Sequence, residues 1–172
     1  MSNEPDPHYV FFYGHSQNLI MGYLSQWYMC NFQEDSHSFS NAEQYMMWRK
    51  AILFNDHYIA DQCLITTNPR SVKALGRRVS GFDMSIWAEH RYAIVKHANY
   101  LKFSQNRLIR ILLINFDNNV VLVEASPYDR VWGIGYSSHN ALNNKTRWGL
   151  NLLGKALTAV RLLIISNIPI NH

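Results

Sequence analysis

The chain has 172 residues, 48% of them hydrophobic and 16% charged, and carries a net charge of +4 with its histidines neutral. That length and apolar content fit one domain with one core and exclude a disordered chain. The mild cationic excess suits an anionic ligand such as a phosphate or a nucleic acid, but without a dense Lys/Arg run it excludes binding driven by charge alone.

Residues 1–8 read as a loose leader and 166–172 as a frayed end, so a single domain is expected over 9–165. The polar, acidic start lacks a signal-peptide pattern, and no apolar run reaches the length of a membrane span. Cys30 and Cys63 have no metal-ligand spacing and make no disulfide framework. A reducing cytoplasmic setting is expected, with a nuclear one as the alternative.

Tyr9–Tyr13 is a short aromatic and β-branched run that predicts a strand, and Tyr23–Phe39 reads as irregular. The first helix is expected over Asn41–Phe54, with Ser40 as N-cap and Glu43 three residues later as in a capping box. A second opens at Asn68-Pro69 and stops near Gly76, a third spans Met84–Leu101 behind Asp83 or Ser85, and a fourth covers Arg107–Ile114. Val120–Val123 predicts a buried strand. A long loop, Ala125–Gly149, then leads to a last helix over Leu150–Ile165, whose Leu162-Leu163-Ile164-Ile165 end is expected to be buried. The fold class is therefore α+β and predominantly helical, with a few short strands and no βαβ alternation. Gly133-Ile134-Gly135 lacks the third glycine and the following helix of a dinucleotide fingerprint.

On the first helix, Glu43, Met47, Lys50 and Phe54 share one stripe, and Tyr45, Trp48 and Ile52 share the opposite one. Apolar on both sides, the helix reads as buried, and Glu43 and Lys50 with it. A lysine in an apolar cleft loses basicity and becomes an amine nucleophile, and a carboxylate two turns away can move its protons. Against this, Glu43 alone suffices to close a capping box, and Lys50 to snorkel its ammonium to water.

The second constellation is Glu124-Ala-Ser-Pro-Tyr-Asp129-Arg-Val-Trp132-Gly133-Ile-Gly135, delivered by the end of the buried strand. Two carboxylates can orient water or stabilise an oxocarbenium-like centre, Trp132 can stack on a base, and the glycines let backbone approach a ligand. The plainer alternative has Asp129 starting a turn, the glycines serving positive φ and Trp132 filling core. Trp87 and Arg91, one helical turn apart, can stack and grip phosphate or simply pack, and Arg77 after Gly76 is a further phosphate candidate. The eight histidines show no paired ligand spacing, so no metal site is expected.

Together these segments resemble the NADAR/YbiA-like family from about Tyr9 to Arg161. The anchors are Phe12-Tyr13, Tyr23-Leu24-Ser25, Ala42–Met47 with Lys50-Ala51, Gly76-Arg77, Trp87 with Arg91, Lys102-Phe103 with Gln105-Asn106, Val123–Asp129, Trp132–Gly135, Asn151–Gly154 and Arg161. Departures fall at Gln26–Cys30, at Arg107 and in the loop Tyr136–Arg147. The resemblance implies a single helix-rich domain that acts without cofactor or metal on ADP-ribose or ribose-phosphate N-glycosides. The substrates it implies are ADP-ribosylated guanine in DNA or RNA, or a phosphoribosylamino-pyrimidine of riboflavin synthesis. It implies Glu43, Lys50 and Asp129 as catalytic, with Trp87, Glu124 and Trp132 in the pocket. Arg77, Arg91 and the Gly133–Gly135 backbone are expected to bind substrate. No membrane and no obligate protein partner is expected. The alternative is a module that binds ADP-ribose, NAD or a modified nucleic acid without turnover.

Overall fold

A computed structural model describes residues 8–167. Most of the expected loose ends, residues 1–7 and 168–172, lie outside the described residues. The chain runs β1 (His8–Phe12), β2 (Phe32–Glu34), β3 (His37–Phe39), α1 (Ala42–Leu53), α2 (His57–Ile65), α3 (Pro69–Gly76) and α4 (Met84–Gln105). It continues with α5 (Arg107–Ile114), β4 (Val120–Glu124), α6 (Ser138–Ala141) and α7 (Leu152–Ser166). Single 3₁₀ segments lie at Gly22–Leu24 and Leu142–Arg147. The fold is helix-rich α+β, as expected.

Helix α1 is the centre of the core. Every residue from Ala42 to Trp48 is buried, and α2, α3 and α4 pack around it. Its N-terminus departs from the expected capping box. Asn41, not Ser40, is the N-cap, and its side chain accepts from the Gln44 N–H at 2.9 Å. Gln44 Oε1 in return accepts from the Ser40 N–H at 2.7 Å. The reciprocal pair is thus Asn41 and Gln44, closing on the N–H of the residue before the cap, which leaves the Glu43 carboxyl free of any capping duty.

β1 pairs in parallel with β4, from His8 opposite Val120 to Phe12 opposite Glu124. Because both strands end level, Tyr13–His15 and Ala125–Trp132 leave from the same end of the sheet. The other edge of β4 is satisfied by a side chain: Asn151 Oδ1 accepts from the Glu124 N–H at 3.0 Å and Asn151 Nδ2 donates to Leu122 O at 2.9 Å. To do so, Asn151 takes a left-handed backbone, φ 49°, so α7 starts at Leu152 rather than Leu150. The first N–H groups of that helix are spent on the preceding loop. Leu152 N donates to Val131 O and Leu153 N to Trp132 O.

Three elements escape the periodicity of the sequence. The β2–β3 hairpin has strands of three residues with Asp35 at φ 50° in its turn, α2 shows only three buried positions, and α6 sits inside the long loop. Leu162, Leu163 and Ile165 are exposed, and only Ile164 is buried, so the end of α7 is half solvated and not buried as expected. Among the described residues no single helix is long and apolar enough to cross a membrane.

Candidate active site

Glu43, Lys50, Arg77, Trp87 and Trp132 line a 140 Å³ recess between α1, α3 and α4. It adjoins a 620 Å³ cleft bounded by Glu43, Arg77, Glu124, Asp129 and Trp132, and the two share Glu43, Met46, Lys73, Arg77 and Trp132. The two constellations, far apart in sequence, therefore face one hollow. Past Trp27, a further 630 Å³ hollow shares His15, Trp27 and Arg70 with the cleft.

Glu43 comes from the first turn of α1, only 3% exposed, and its Oε1 has no hydrogen-bond partner among the described residues. Burial pushes its pKa up to about 7; the nearby Lys73 ammonium, the Trp27 indole and Arg77 oppose the rise, while Asp129 adds to it. Glu124 stands at the end of β4 with its Oε2 likewise buried and without a partner among the described residues. Burial first, then the charges of Asp129 and Glu43, push it up to about 8 against the pull of Lys73. Two carboxyl groups that would be ionised in water are thus held near neutrality in a shared hollow.

Lys50 lies two turns further along α1. Its Nζ donates to Gly76 O at 2.7 Å and stands 4.1 Å from the Phe82 ring centroid and 5.6 Å from that of Trp87. Burial lowers its pKa. Gly76 permits this close packing: a Cβ there would stand 1.9 Å from Met47 Sδ. Asp129 Oδ1 accepts from the Val131 and Trp132 N–H groups, both at 2.8 Å, and so shapes the loop that carries Trp132.

Three expected residues do not line the hollow. Arg91 sits one turn of α4 beyond Trp87, half-buried, with its Nε enclosed by protein. Gly133 serves packing, since a Cβ there would lie 2.7 Å from Glu124 O. Gly135, at φ 76°, lets the chain turn against the Arg130 side chain. In turn, the structure brings in residues that sequence reasoning missed, above all Lys73 and Trp27. Arg70, Lys73 and Arg77 recur at i, i+3 and i+7 along α3, a cationic stripe legible from spacing. Trp27 lies in an irregular stretch with no period to reveal it. Among the described residues no group of three or more His, Cys, Asp or Glu is placed to hold a metal ion.

The NADAR domain family matches residues 11–164. The chain is 40% identical over 161 residues to N-glycosidase R617 of Acanthamoeba polyphaga mimivirus, covering 89% of this chain and 94% of that protein. It is 39% identical over 127 residues to Protein irg-1 of Caenorhabditis elegans, covering 72% of this chain and 59% of that protein. The NMR structure of the E. coli protein YbiA superposes with a TM-score of 0.78 at 23% identity, over 98% of this chain and 92% of that one, a likeness of fold. A match that spans almost the whole folded chain, in sequence and in backbone, leaves one assignment: the chain belongs to the NADAR domain family.

Proposed function

We propose that this protein is an N-glycosidase that hydrolyses the bond between the C1 of a phosphorylated ribose and a base nitrogen. The likeness to N-glycosidase R617 supports the reaction class. The observation that carries the residue roles is the pair of enclosed carboxyl groups, Glu43 and Glu124, each with an oxygen that lacks a partner among the described residues, beside Lys50 and two indoles. An unpaired buried carboxyl oxygen is costly in an empty site and is satisfied when a sugar hydroxyl, a water or a leaving nitrogen donates to it.

At about 7, Glu43 is poised near neutral pH to give a proton and to take one back, while Glu124, at about 8, stays mostly protonated. An N-glycosylamine opens to an imine at C1. Lys50, once deprotonated, adds to that carbon. The C–N bond to the base then breaks as Glu43 delivers a proton to the departing nitrogen, leaving a Schiff base between sugar and Lys50. Water adds to the Schiff base carbon, with Asp129 or Glu43 accepting its proton, and the free sugar leaves as Lys50 is regenerated. Trp87 and Trp132 stack on the flat base, and Arg77 with Lys73 meets the phosphate. The hollow past Trp27 has room for a longer phosphate arm, such as that of ADP-ribose. Free Cys30 and Cys63 fit a reducing cytoplasmic or nuclear setting.

Borohydride treatment during turnover is the direct test: the expected result is a sugar adduct on Lys50 and loss of turnover in Lys50→Ala. Turnover retained in that variant, with no adduct, leaves water attacking C1 directly and Lys50 as a charge neutraliser. Substrates to compare are an ADP-ribosylated guanine and a phosphoribosylamino-pyrimidine. A module that only binds would leave both bonds intact.

A further inference from the structure

Lys102 is a buried amine that the chemistry above does not use, and burial lowers its pKa to about 7. It is 0% exposed, and its Nζ donates to Tyr23 O at 2.7 Å and to Ser25 O at 2.8 Å. Its other neighbours are the Phe103 and Tyr28 rings, whose centroids lie 5.1 and 5.5 Å away. It does not act alone. Asn99, one turn earlier on α4 and also fully buried, donates from Nδ2 to Gln26 Oε1 at 2.7 Å. Asn106, one turn later, donates to Asn31 O at 2.9 Å. Asn99, Lys102 and Asn106 fall at i, i+3 and i+7, so one polar stripe of α4 grips the irregular stretch 23–31 from behind. A charge in that position is costly, and an apolar side chain of similar size would be the more stable filler if packing were its only task. What the amine supplies is N–H donors for two successive turns of a segment with no ladder of its own.

The front of the same segment forms part of the active site. Gln26 O accepts from the Glu43 N–H at 3.1 Å, and Trp27 and Glu43 line the same cleft, where the indole favours the ionised form of the carboxyl. We propose that Lys102, seconded by Asn99, is a positioning residue that holds the Tyr23–Trp27 segment so that Trp27 stays beside Glu43 in the cleft. The inference rests on Glu43 being the working acid of the proposed reaction, but its test does not need turnover.

The Glu43 carboxyl is titrated by carbon NMR in the whole chain, with Glu43→Gln identifying its signal. The other titratable groups that face it, Lys73 and Arg77 from α3, Glu124 from the end of β4 and Asp129 from the loop after it, are the same in every sample. Lys102→Met leaves Tyr23 O and Ser25 O without their donor and lets Trp27 drift. The Glu43 midpoint is then expected to rise by about one pH unit, as the indole that favours the ionised form moves away. Trp27→Phe should raise it in the same sense, and the double variant should rise no further than Trp27→Phe alone. A structural prop with no bearing on the site would leave the midpoint at its wild-type value, and that result, or full additivity of the two substitutions, overturns the proposal. If Lys102→Met does not fold, Asn99→Ala asks the same question through Gln26, with the same upward shift expected and an unmoved midpoint fatal. Absence of turnover in the wild type would sink the proposed function while leaving this measurement intact.

Discussion

Removing the charge of Glu43 should make the protein more stable and less active, and the gain should depend on pH in a way that packing alone cannot imitate. In the unfolded chain Glu43 titrates near its ordinary 4.5; in the fold, burial raises it to about 7. Between those two values the folded state keeps a proton that the unfolded state has lost. Stability therefore falls as pH rises through this window, and the cost is complete above the folded value. A displacement of roughly 2.5 pH units corresponds to about 3 kcal/mol at 1.36 kcal/mol per unit. Glu43→Gln keeps the shape but never ionises. Its Tm relative to wild type should thus climb between pH 4.5 and 7 and then level off, the total climb being roughly 6–12 °C for a chain of this size. Thermal unfolding at pH 4 and pH 8 followed by circular dichroism reads it directly. The part common to both pH values reports packing and amide hydrogen bonds; only the difference reports the carboxyl. A difference of zero between the two pH values would refute the claim that Glu43 is enclosed, and with it the acid role. Because Glu124 is also raised by burial, with the Glu43 charge adding to the rise, Glu124→Gln should show a pH-dependent gain of its own, and the double variant less than the sum.

The remaining expectations concern residues outside the chemistry. Asn151→Ala removes both side-chain bonds to the β4 edge and leaves Leu122 O and the Glu124 N–H unmet, a loss of roughly 2–4 kcal/mol in urea unfolding. Asn151→Gly, which keeps the left-handed backbone accessible, should recover only a small part of it. Arg91→Ala should leave KM within about twofold of wild type, because Arg91 lies a helical turn away from the hollow; a rise of tenfold or more would return it to the phosphate site that its spacing from Trp87 suggests.

The reading of the helix carrying Glu43 and Lys50 illustrates how far residue spacing reaches. A 3.6-residue period places both on one stripe, and apolar residues on either side of it predict burial, which the structure bears out for Glu43, whereas Lys50 is only half-buried. The same logic applied to capping chose the wrong N-cap. Ser40 and Asn41 are both good caps, and only the conformation of the chain entering α1 selects between them. The glycines at 133 and 135 were legible as special backbone, but whether that backbone serves a ligand or a packing contact depends on what lies opposite, here Glu124 O and Arg130.

From residues alone, then, come the class of fold, the main helices, the buried strand β4 and the roster of chemistry-bearing side chains, since period, capping and composition are local properties. Convergence is not local. That Glu124 and Asp129 face Glu43 follows from β1 and β4 ending level, and that Lys73 and Trp27 join them follows from α3 and a ladderless segment being pressed against α1 by side chains of other elements. Such pairings depend on long-range burial and hydrogen bonding, whose outcome no window of neighbouring residues contains.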